Sequence, residues 1–137
     1  LIIDAKGNTN RAVAGDFVMQ LAQGVGVQGF VVDGVIRDLA AARAIDFPVF
    51  ALGTTVAAGN KHGGGIVGTM VSIGGVVVET GDYIIGDIDG VIVLPQADVA
   101  RIAQAAEEKV AKDEAREHEA FHNGEASIRA YLAKVVK

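Results

Sequence analysis

Residues 1–52 alternate between two kinds of apolar pattern, and this alternation is the feature that most restricts the fold. The short apolar runs LIID (1–4), FVVD (30–33) and PVFAL (48–52) are typical of strands, and KGNTN after the first run predicts a turn. Between these runs, helical spacing of apolar residues predicts a helix from Arg11 to Gln23, and alanine-rich RDLAAARA (37–44) predicts another. The N-terminal half therefore consists of strand–helix units.

The pattern changes after a glycine-rich loop at 53–65. Four β-branched runs separated by Gly-Gly, Gly-Asp and Asp-Gly predict short strands joined by tight turns: IVGTMVSI, GVVVET, DYIIGD and VIVLP. Helices are predicted from Ala97 to His122 and, after Asn123-Gly124, at 125–135. We therefore expect an α/β domain whose sheets are partly packed on each other, with helices outside.

Charge and composition argue against several classes of function. The formal net charge of −5 does not favour binding to nucleic acid or to an anionic membrane. There is no cysteine, which excludes disulfides and thiolate zinc sites. No apolar run approaches the roughly 20 residues of a membrane helix, and no signal peptide is visible, so we expect a soluble cytoplasmic protein. Because LIID at the first residue already reads as a strand, we also expect an N-terminal part to be missing.

The stretch HEAFH (118–122) matches the H-E-x-x-H pattern of zinc metalloproteases. Helical spacing would place both imidazoles on one face. A catalytic zinc needs a third protein ligand, and Asn123-Gly124 follows where the extended motif would continue. We therefore favour an exposed helix end, with both histidines near the C-terminal end of the helix dipole.

Two glycine-rich stretches resemble nucleotide loops. GVGVQG (24–29) matches a dinucleotide fingerprint, but it follows a predicted helix and precedes a strand, the reverse of the required order. GNKHGGG (59–65) lacks the phosphate-loop pattern, although Lys61 or His62 could reach an anionic ligand from it. The remaining acids Asp33, Asp82, Asp87 and Asp89 lie beside glycines or at strand ends, where turn chemistry explains them better than a second metal site does.

DGVIRD (33–38) lies where a buried strand ends and a helix begins, the usual position of ligand sites in α/β sheets. Asp38 could hold a hard cation such as Mg²⁺, or it could simply cap the helix. Arg37 offers a planar fork suited to a carboxylate, or it is a surface residue. Adjacent helical residues point about 100° apart, so we expect these two not to be simply each other's ion-pair partners.

GDFV (15–18) lies where the first helix begins or turns. Backbone N–H groups at such a position can bind a carboxylate or an oxyanion. Asp16 precedes Arg37 by twenty-one positions.

Taken together, these stretches resemble the RraA-like family, which includes metal-dependent 4-hydroxy-4-methyl-2-oxoglutarate aldolases. The resemblance covers residues 1 to about 100 and is carried by GDFV, the spacing from Asp16 to Arg37-Asp38, GFVVDGVIRD, FPVF and GGVVVETGDYIIGDIDGVIVLP. It implies a swivelling three-layer β/β/α fold and homotrimers or hexamers. The length of 137 residues predicts one domain over 1–137, with a C-terminal helical extension at 97–137. LAAARA after Arg37-Asp38 lacks the family's acidic pair, which leaves the particular substrate open more than the metal site. Thr80 also replaces the family's usual proline.

The resemblance also implies residue roles. Asp38 binds a divalent cation, Mg²⁺ or Mn²⁺, and Arg37 contacts the substrate and a metal-bound water. Gly15, Asp16, Phe17 and Val18 hold the pyruvyl group through backbone amides, and Asp16 also hydrogen-bonds metal waters.

The function implied is a class II aldolase that cleaves a 4-hydroxy-2-oxo diacid to pyruvate, with oxaloacetate decarboxylation as a side activity. The main alternative is a non-enzymatic regulator of ribonuclease E, also found in this family. A methyltransferase, a label that members of the family have carried, would need a cofactor loop in a strand-to-helix context. A zinc hydrolase would need zinc bound by His118 and His122.

Overall fold

A computed structural model describes residues 1–61 and 63–136 of the chain. It has an α/β fold and divides into two compact units, Leu1–Pro95 and the residues from Gln96 on. The first unit contains all seven strands of the described residues and two helices, and the second is helical. In the described part of the chain, no helix is long and apolar enough to cross a membrane.

The centre of the first unit is a three-stranded parallel sheet in the order β1-β2-β3, formed by β1 (Ile2–Ala12), β2 (Phe30–Ile36) and β3 (Val49–Thr54). Helix α1 (Asp16–Gly24) connects the first two strands, and α2 (Leu39–Ala44) connects the second and third. Parallel neighbours need such crossovers, which accounts for the strand–helix alternation in the sequence.

β1 is longer than predicted, because the expected turn at KGNTN is a bulge within the strand. Lys6 and Gly7 both have positive φ, at 57° and 66°, and the pairing with β2 shifts between Asp4 and Asn8. The Gly7 N–H donates to Asp33 Oδ2 at 3.1 Å. KGNTN locally favours a turn, but the bond between Gly7 and the distant Asp33 keeps this segment paired with the sheet.

α1 begins at Asp16, five residues after the predicted start at Arg11. The Ala12 N–H donates to Ala57 O at 2.9 Å and the Val13 N–H donates to Val35 O at 2.8 Å, so this backbone is bound to the sheet. Helical periodicity alone does not show such long-range pairing. At the other end, GVGVQG closes the helix as expected, with Gly26 at φ +90° and the Val27 N–H bound to Ala22 O.

The core lies where α1 and α2 pack against the parallel sheet. Met19 of α1 is fully buried, and Phe30 and Phe47 meet edge to face with ring centroids 4.9 Å apart. The other core residues are Ala14, Val32, Ile36 and Ala42. Burying a large apolar side chain contributes roughly 1.5–3 kcal/mol, so this cluster anchors the strand ends that carry the site.

The four predicted strands after the glycine-rich loop are present as two antiparallel hairpins. They are β4 (Val71–Ile73) with β5 (Val76–Val78), and β6 (Tyr83–Asp87) with β7 (Gly90–Leu94). β4 is shorter than IVGTMVSI, since residues 66–70 lie outside it. The ring of Phe50 in β3 lies against Gly86 in β6, where a Cβ atom would meet Phe50 Cζ at 2.5 Å, so the sheets touch there as expected.

The second unit contains a 3₁₀ turn (Gln96–Asp98), α3 (Val99–Phe121) and α4 (Gly124–Val135). These bounds lie close to the predicted ones. Ser127 is buried at the α3–α4 turn, where its hydroxyl lies 2.9 Å from Ala120 O and accepts the Asn123 N–H at 3.2 Å. The serine therefore ties the two helices together.

Candidate functional site

The segments that leave β1 and β2 run side by side at the carboxyl edge of the parallel sheet. The Arg37 N–H donates to Ala14 O at 3.0 Å, and beyond β3 the Thr55 N–H donates to Ile36 O at 2.9 Å. These long-range bonds bring GDFV and Arg37-Asp38, which are far apart in sequence, to one place. The edge is the one where α/β sheets generally present ligand sites.

Arg37 and Asp38 form an ion pair, with Arg37 Nε 3.2 Å from Asp38 Oδ2. The expectation that they would not be each other's partners is therefore wrong. It assumed helical geometry, whereas Asp38 lies in the left-handed region, at φ 59° and ψ 41°, and α2 starts only at Leu39. The side chains are 42% and 38% exposed, so both groups remain accessible to a ligand.

Asp38 occupies the N-cap position of α2 without acting as a side-chain cap. Its carbonyl accepts the Ala42 N–H at 2.8 Å, but its carboxylate makes no capping hydrogen bond. Aspartate tolerates the left-handed region better than most residues, yet non-glycine residues are uncommon there. The carboxylate lies against Arg37 instead, so capping by the side chain does not account for this aspartate.

GDFV forms the first turn of α1, as its predicted role requires. Gly15 is the N-cap residue, and the first i→i−4 bond runs from the Met19 N–H to Gly15 O at 3.1 Å. The Phe17 N–H donates to Asp16 Oδ1 at 2.7 Å. A substrate carboxylate bound by this turn would therefore compete with the Asp16 carboxylate for the Phe17 N–H. Phe17 itself is 68% exposed.

Gly15 brings the two motifs into contact. A Cβ atom built there would lie 2.8 Å from Arg37 Nε and 3.0 Å from Arg37 Cγ, and it would overlap Asp38 Oδ2. The site thus contains a helix N-terminus, a guanidinium and a carboxylate. Sequence reasoning identified these residues separately, but not how closely they pack.

The donors present suit a hard divalent cation. Within residues 1–61 and 63–136, no cluster of three or more histidine, aspartate or glutamate side chains could enclose a metal ion. Mg²⁺ is usually held by one or two carboxylates and completes its shell with waters and substrate oxygens. The partly exposed Asp38 carboxylate fits that pattern, whereas zinc would need more protein ligands.

The histidines of HEAFH lie at the end of α3 in the second unit. Their rings stack with centroids 5.3 Å apart, and His122 Nδ1 lies 2.9 Å from His118 O. Both histidines are exposed, so this geometry agrees with an exposed helix end.

The loop after β3 starts beside the candidate site. Ala58 forms a bridge with Ala12, and its carbonyl accepts a hydrogen bond from Arg11 Nη1 at 2.9 Å. This anchoring was not predicted from the sequence. Gly59 was the available signal, because a Cβ atom there would lie 2.6 Å from Ala12 O. Lys61 is exposed, and His62, the other cationic candidate, lies outside the described residues.

Three of the four remaining aspartates serve turns or bulges, as expected. Asp33 accepts the Gly7 N–H in the bulge, Asp82 Oδ2 accepts the Glu79 N–H at 2.9 Å, and Asp87 Oδ1 accepts the Asp89 N–H at 2.8 Å. These bonds within turns explain the acids without a second cation.

Comparison with known proteins identifies the family of this chain. A family model described as RraA-like, Aldolase/RraA, matches residues 1–93. A Halalkalibacterium halodurans protein named "Putative 4-hydroxy-4-methyl-2-oxoglutarate aldolase" is 48% identical over 136 residues, which is 99% of this chain and 64% of that protein. The chain therefore spans less than two thirds of the length of this relative.

Two solved structures are also similar. An uncharacterized protein from Pseudomonas syringae pv. tomato superposes with a TM-score of 0.80 at 27% identity, covering 94% of this chain and 64% of its own. The RNA-processing inhibitor RraA from Thermus thermophilis superposes with a TM-score of 0.67 at 31% identity, covering 70% and 58%. With a family model over most of its length and relatives of the same fold, the chain belongs to the RraA-like family.

Proposed function

We propose that the protein is a metal-dependent class II aldolase that cleaves 4-hydroxy-2-oxo diacids to pyruvate. The substrates would be 4-hydroxy-4-methyl-2-oxoglutarate or 4-carboxy-4-hydroxy-2-oxoadipate. The observation that carries the proposal is the packing of Arg37 and Asp38 against Gly15 at the start of α1. The aldolase name of the 48% identical relative supports the same reaction class.

The reaction needs an electron sink at the 2-oxo group. A base removes the proton of the C4 hydroxyl, the C3–C4 bond breaks, and its electron pair forms the enolate of pyruvate, which is protonated at C3. The second product is the carbonyl compound derived from C4. A bound Mg²⁺ or Mn²⁺ would supply Lewis-acid stabilisation of the enolate oxygen.

The protein's own groups suit the remaining tasks. The Nε side of the Arg37 guanidinium faces Asp38, so its terminal amino groups are the donors assigned to the substrate's oxo and carboxylate oxygens. Asp38 is assigned to the cation. Asp16 is assigned to its waters, and the amides of Gly15–Val18 to the pyruvyl carboxylate. Such preorganised donors act where negative charge develops in the transition state.

The same enolate forms when oxaloacetate loses carbon dioxide. We therefore include oxaloacetate decarboxylation as a side activity. Homotrimers or hexamers belong to the proposal as well, and light scattering of the purified protein would measure the oligomeric state directly.

Release of pyruvate from a panel of 4-hydroxy-2-oxo acids tests the proposal. The protein is assayed with Mg²⁺ or Mn²⁺, and again with EDTA, and pyruvate is detected by coupled reduction with lactate dehydrogenase. We expect turnover that EDTA abolishes and that added cation restores. Absence of pyruvate from every substrate, with the cation shown to be bound, would reject the aldolase.

A second candidate function is regulation of a ribonuclease of the E type. The similarity to the Thermus RNA-processing inhibitor supports it. Such a regulator binds protein and needs neither cation nor guanidinium for chemistry. Inhibition of RNA cleavage by the wild type and equally by an Arg37→Ala/Asp38→Ala variant, without pyruvate release, would favour this function.

A further inference from the structure

Gly15 is not required by its backbone conformation. Its φ of −123° and ψ of −175° are extended values that any residue adopts. An N-cap position also accepts serine, threonine, asparagine or aspartate, which cap helices at least as well as glycine. The reason for glycine at this position must therefore be space.

The space in question belongs to Arg37 and Asp38. A Cβ atom on Gly15 would overlap Asp38 Oδ2 and lie 2.8 Å from Arg37 Nε, closer than real Cβ contacts come. Both are side-chain atoms, so they can move without displacing the backbone. Gly59 differs, because its Cβ would lie 2.6 Å from the backbone oxygen of Ala12.

We propose that Gly15 is a positioning residue, whose missing side chain lets the Arg37–Asp38 pair lie directly against the N-terminus of α1. This inference rests on the proposed function for its consequences for the cation and the substrate. A methyl group at position 15 would push the guanidinium and the carboxylate away from the α1 amides. The fold would persist, while the cation and the substrate would lose their aligned partners.

Gly24 offers a matched control at the other end of the same helix. A Cβ atom there meets nothing within 4 Å. Gly15→Ala and Gly24→Ala thus add the same methyl group at the two ends of α1. At position 15 the methyl group meets Arg37 and Asp38, and at position 24 it enters open space. A role of Gly15 confined to capping would alter stability and leave cation binding and Arg37 unchanged.

The experiment measures Mn²⁺ affinity by titration, the NMR resonance of the Arg37 Nε–H group, and thermal unfolding of the full chain. For Gly15→Ala we expect a shifted Arg37 resonance and a loss of Mn²⁺ affinity of about tenfold or more, as for other residues that orient metal ligands. For Gly24→Ala we expect wild-type values. A Gly15→Ala protein with wild-type resonance and wild-type affinity overturns the proposal.

A double-mutant cycle covers the case in which Gly15→Ala fails to fold. Arg37→Ala/Asp38→Gly removes the overlapping side chains, and glycine retains the positive φ of position 38. Adding Gly15→Ala to that background must then be tolerated, and an equal loss of folding in both backgrounds overturns the proposal. If the wild type releases no pyruvate but the Arg37 resonance still shifts, the aldolase fails and the positioning role stands.

Discussion

The carboxylate of Asp38 lies 3.2 Å from the guanidinium nitrogen of Arg37, the residue before it, because Asp38 adopts a left-handed conformation. An ion pair this exposed contributes about 1 kcal/mol at most to stability. The pair therefore matters more for the site that it forms than for holding the fold together.

Conservative replacements at the pair should abolish chemistry and spare the fold. Asp38→Asn removes the negative charge that holds a cation, and Arg37→Lys removes the planar fork. We expect each to lower kcat for pyruvate release by on the order of 10²-fold or more, as for other removed electrostatic stabilisers. Stopped-time pyruvate assays and circular dichroism measure the two effects.

Asp46→Asn and Arg43→Lys are the matched controls, since both residues are exposed and lie on or just after α2. They should retain wild-type kcat. Near-normal turnover in Asp38→Asn or Arg37→Lys would contradict the roles assigned to the pair.

The histidine pair of α3 should be dispensable for pyruvate release. The rings stack on each other, and His122 Nδ1 faces the carbonyl of His118, which suits a helix end better than a zinc site. We expect His118→Ala/His122→Ala to retain wild-type turnover and Mn²⁺ affinity. Zinc bound at one equivalent by the wild type, and lost together with activity in the double variant, would show that HEAFH is catalytic.

Ser127→Ala should destabilise the α3–α4 unit. The buried hydroxyl accepts the Asn123 N–H and donates to Ala120 O near the end of α3, and alanine would remove both hydrogen bonds. Such a loss costs about 1–3 kcal/mol in the free energy of unfolding, measurable by urea titration. Ser72→Ala, at an exposed position of β4, should change the free energy of unfolding by less than about 0.5 kcal/mol. Equal effects would show that the Ser127 bonds contribute nothing.

Asp4 should make stability depend on pH in the acid range. The Asp4 side chain is 8% exposed, and its carboxylate accepts hydrogen bonds from the ammonium group and the backbone N–H of Lys6. The ammonium group has the larger effect, and together they hold the pKa of Asp4 below the usual 3.8. A depressed folded pKa adds stability that is complete above the unfolded pKa and disappears as pH falls through the folded one. Asp4→Asn should therefore be less stable than wild type at neutral pH, with the gap closing below about pH 4.

Thermal unfolding followed from pH 2 to pH 7 measures that gap. Asp46→Asn is again the control, because it makes the same replacement at an exposed carboxylate. A constant difference between wild type and Asp4→Asn across this range would exclude the ion pair as its cause.

Most elements were predictable from local patterns, which also placed the candidate site residues at the ends of elements. β2, β3, α2, α3 and α4 lie close to their predicted positions because period and turn residues mark them. The start of α1 and the extent of β1 were not predictable, since both depend on hydrogen bonds to residues far along the chain. The Ala12 N–H binds Ala57 O before α1, and the Gly7 N–H binds the Asp33 carboxylate within β1.

The amino-acid sequence by itself determined the α/β class, the order of the elements and the two short motifs that carry the candidate chemistry. Hydrophobic period and glycine turns are local properties that can be read along the chain. Only the tertiary structure decided that Gly15 lies against Arg37 and Asp38, and that the latter two are ion-paired. Those relationships depend on the left-handed conformation of Asp38 and on hydrogen bonds between strand ends. Neither of these features produces a periodic pattern in the sequence.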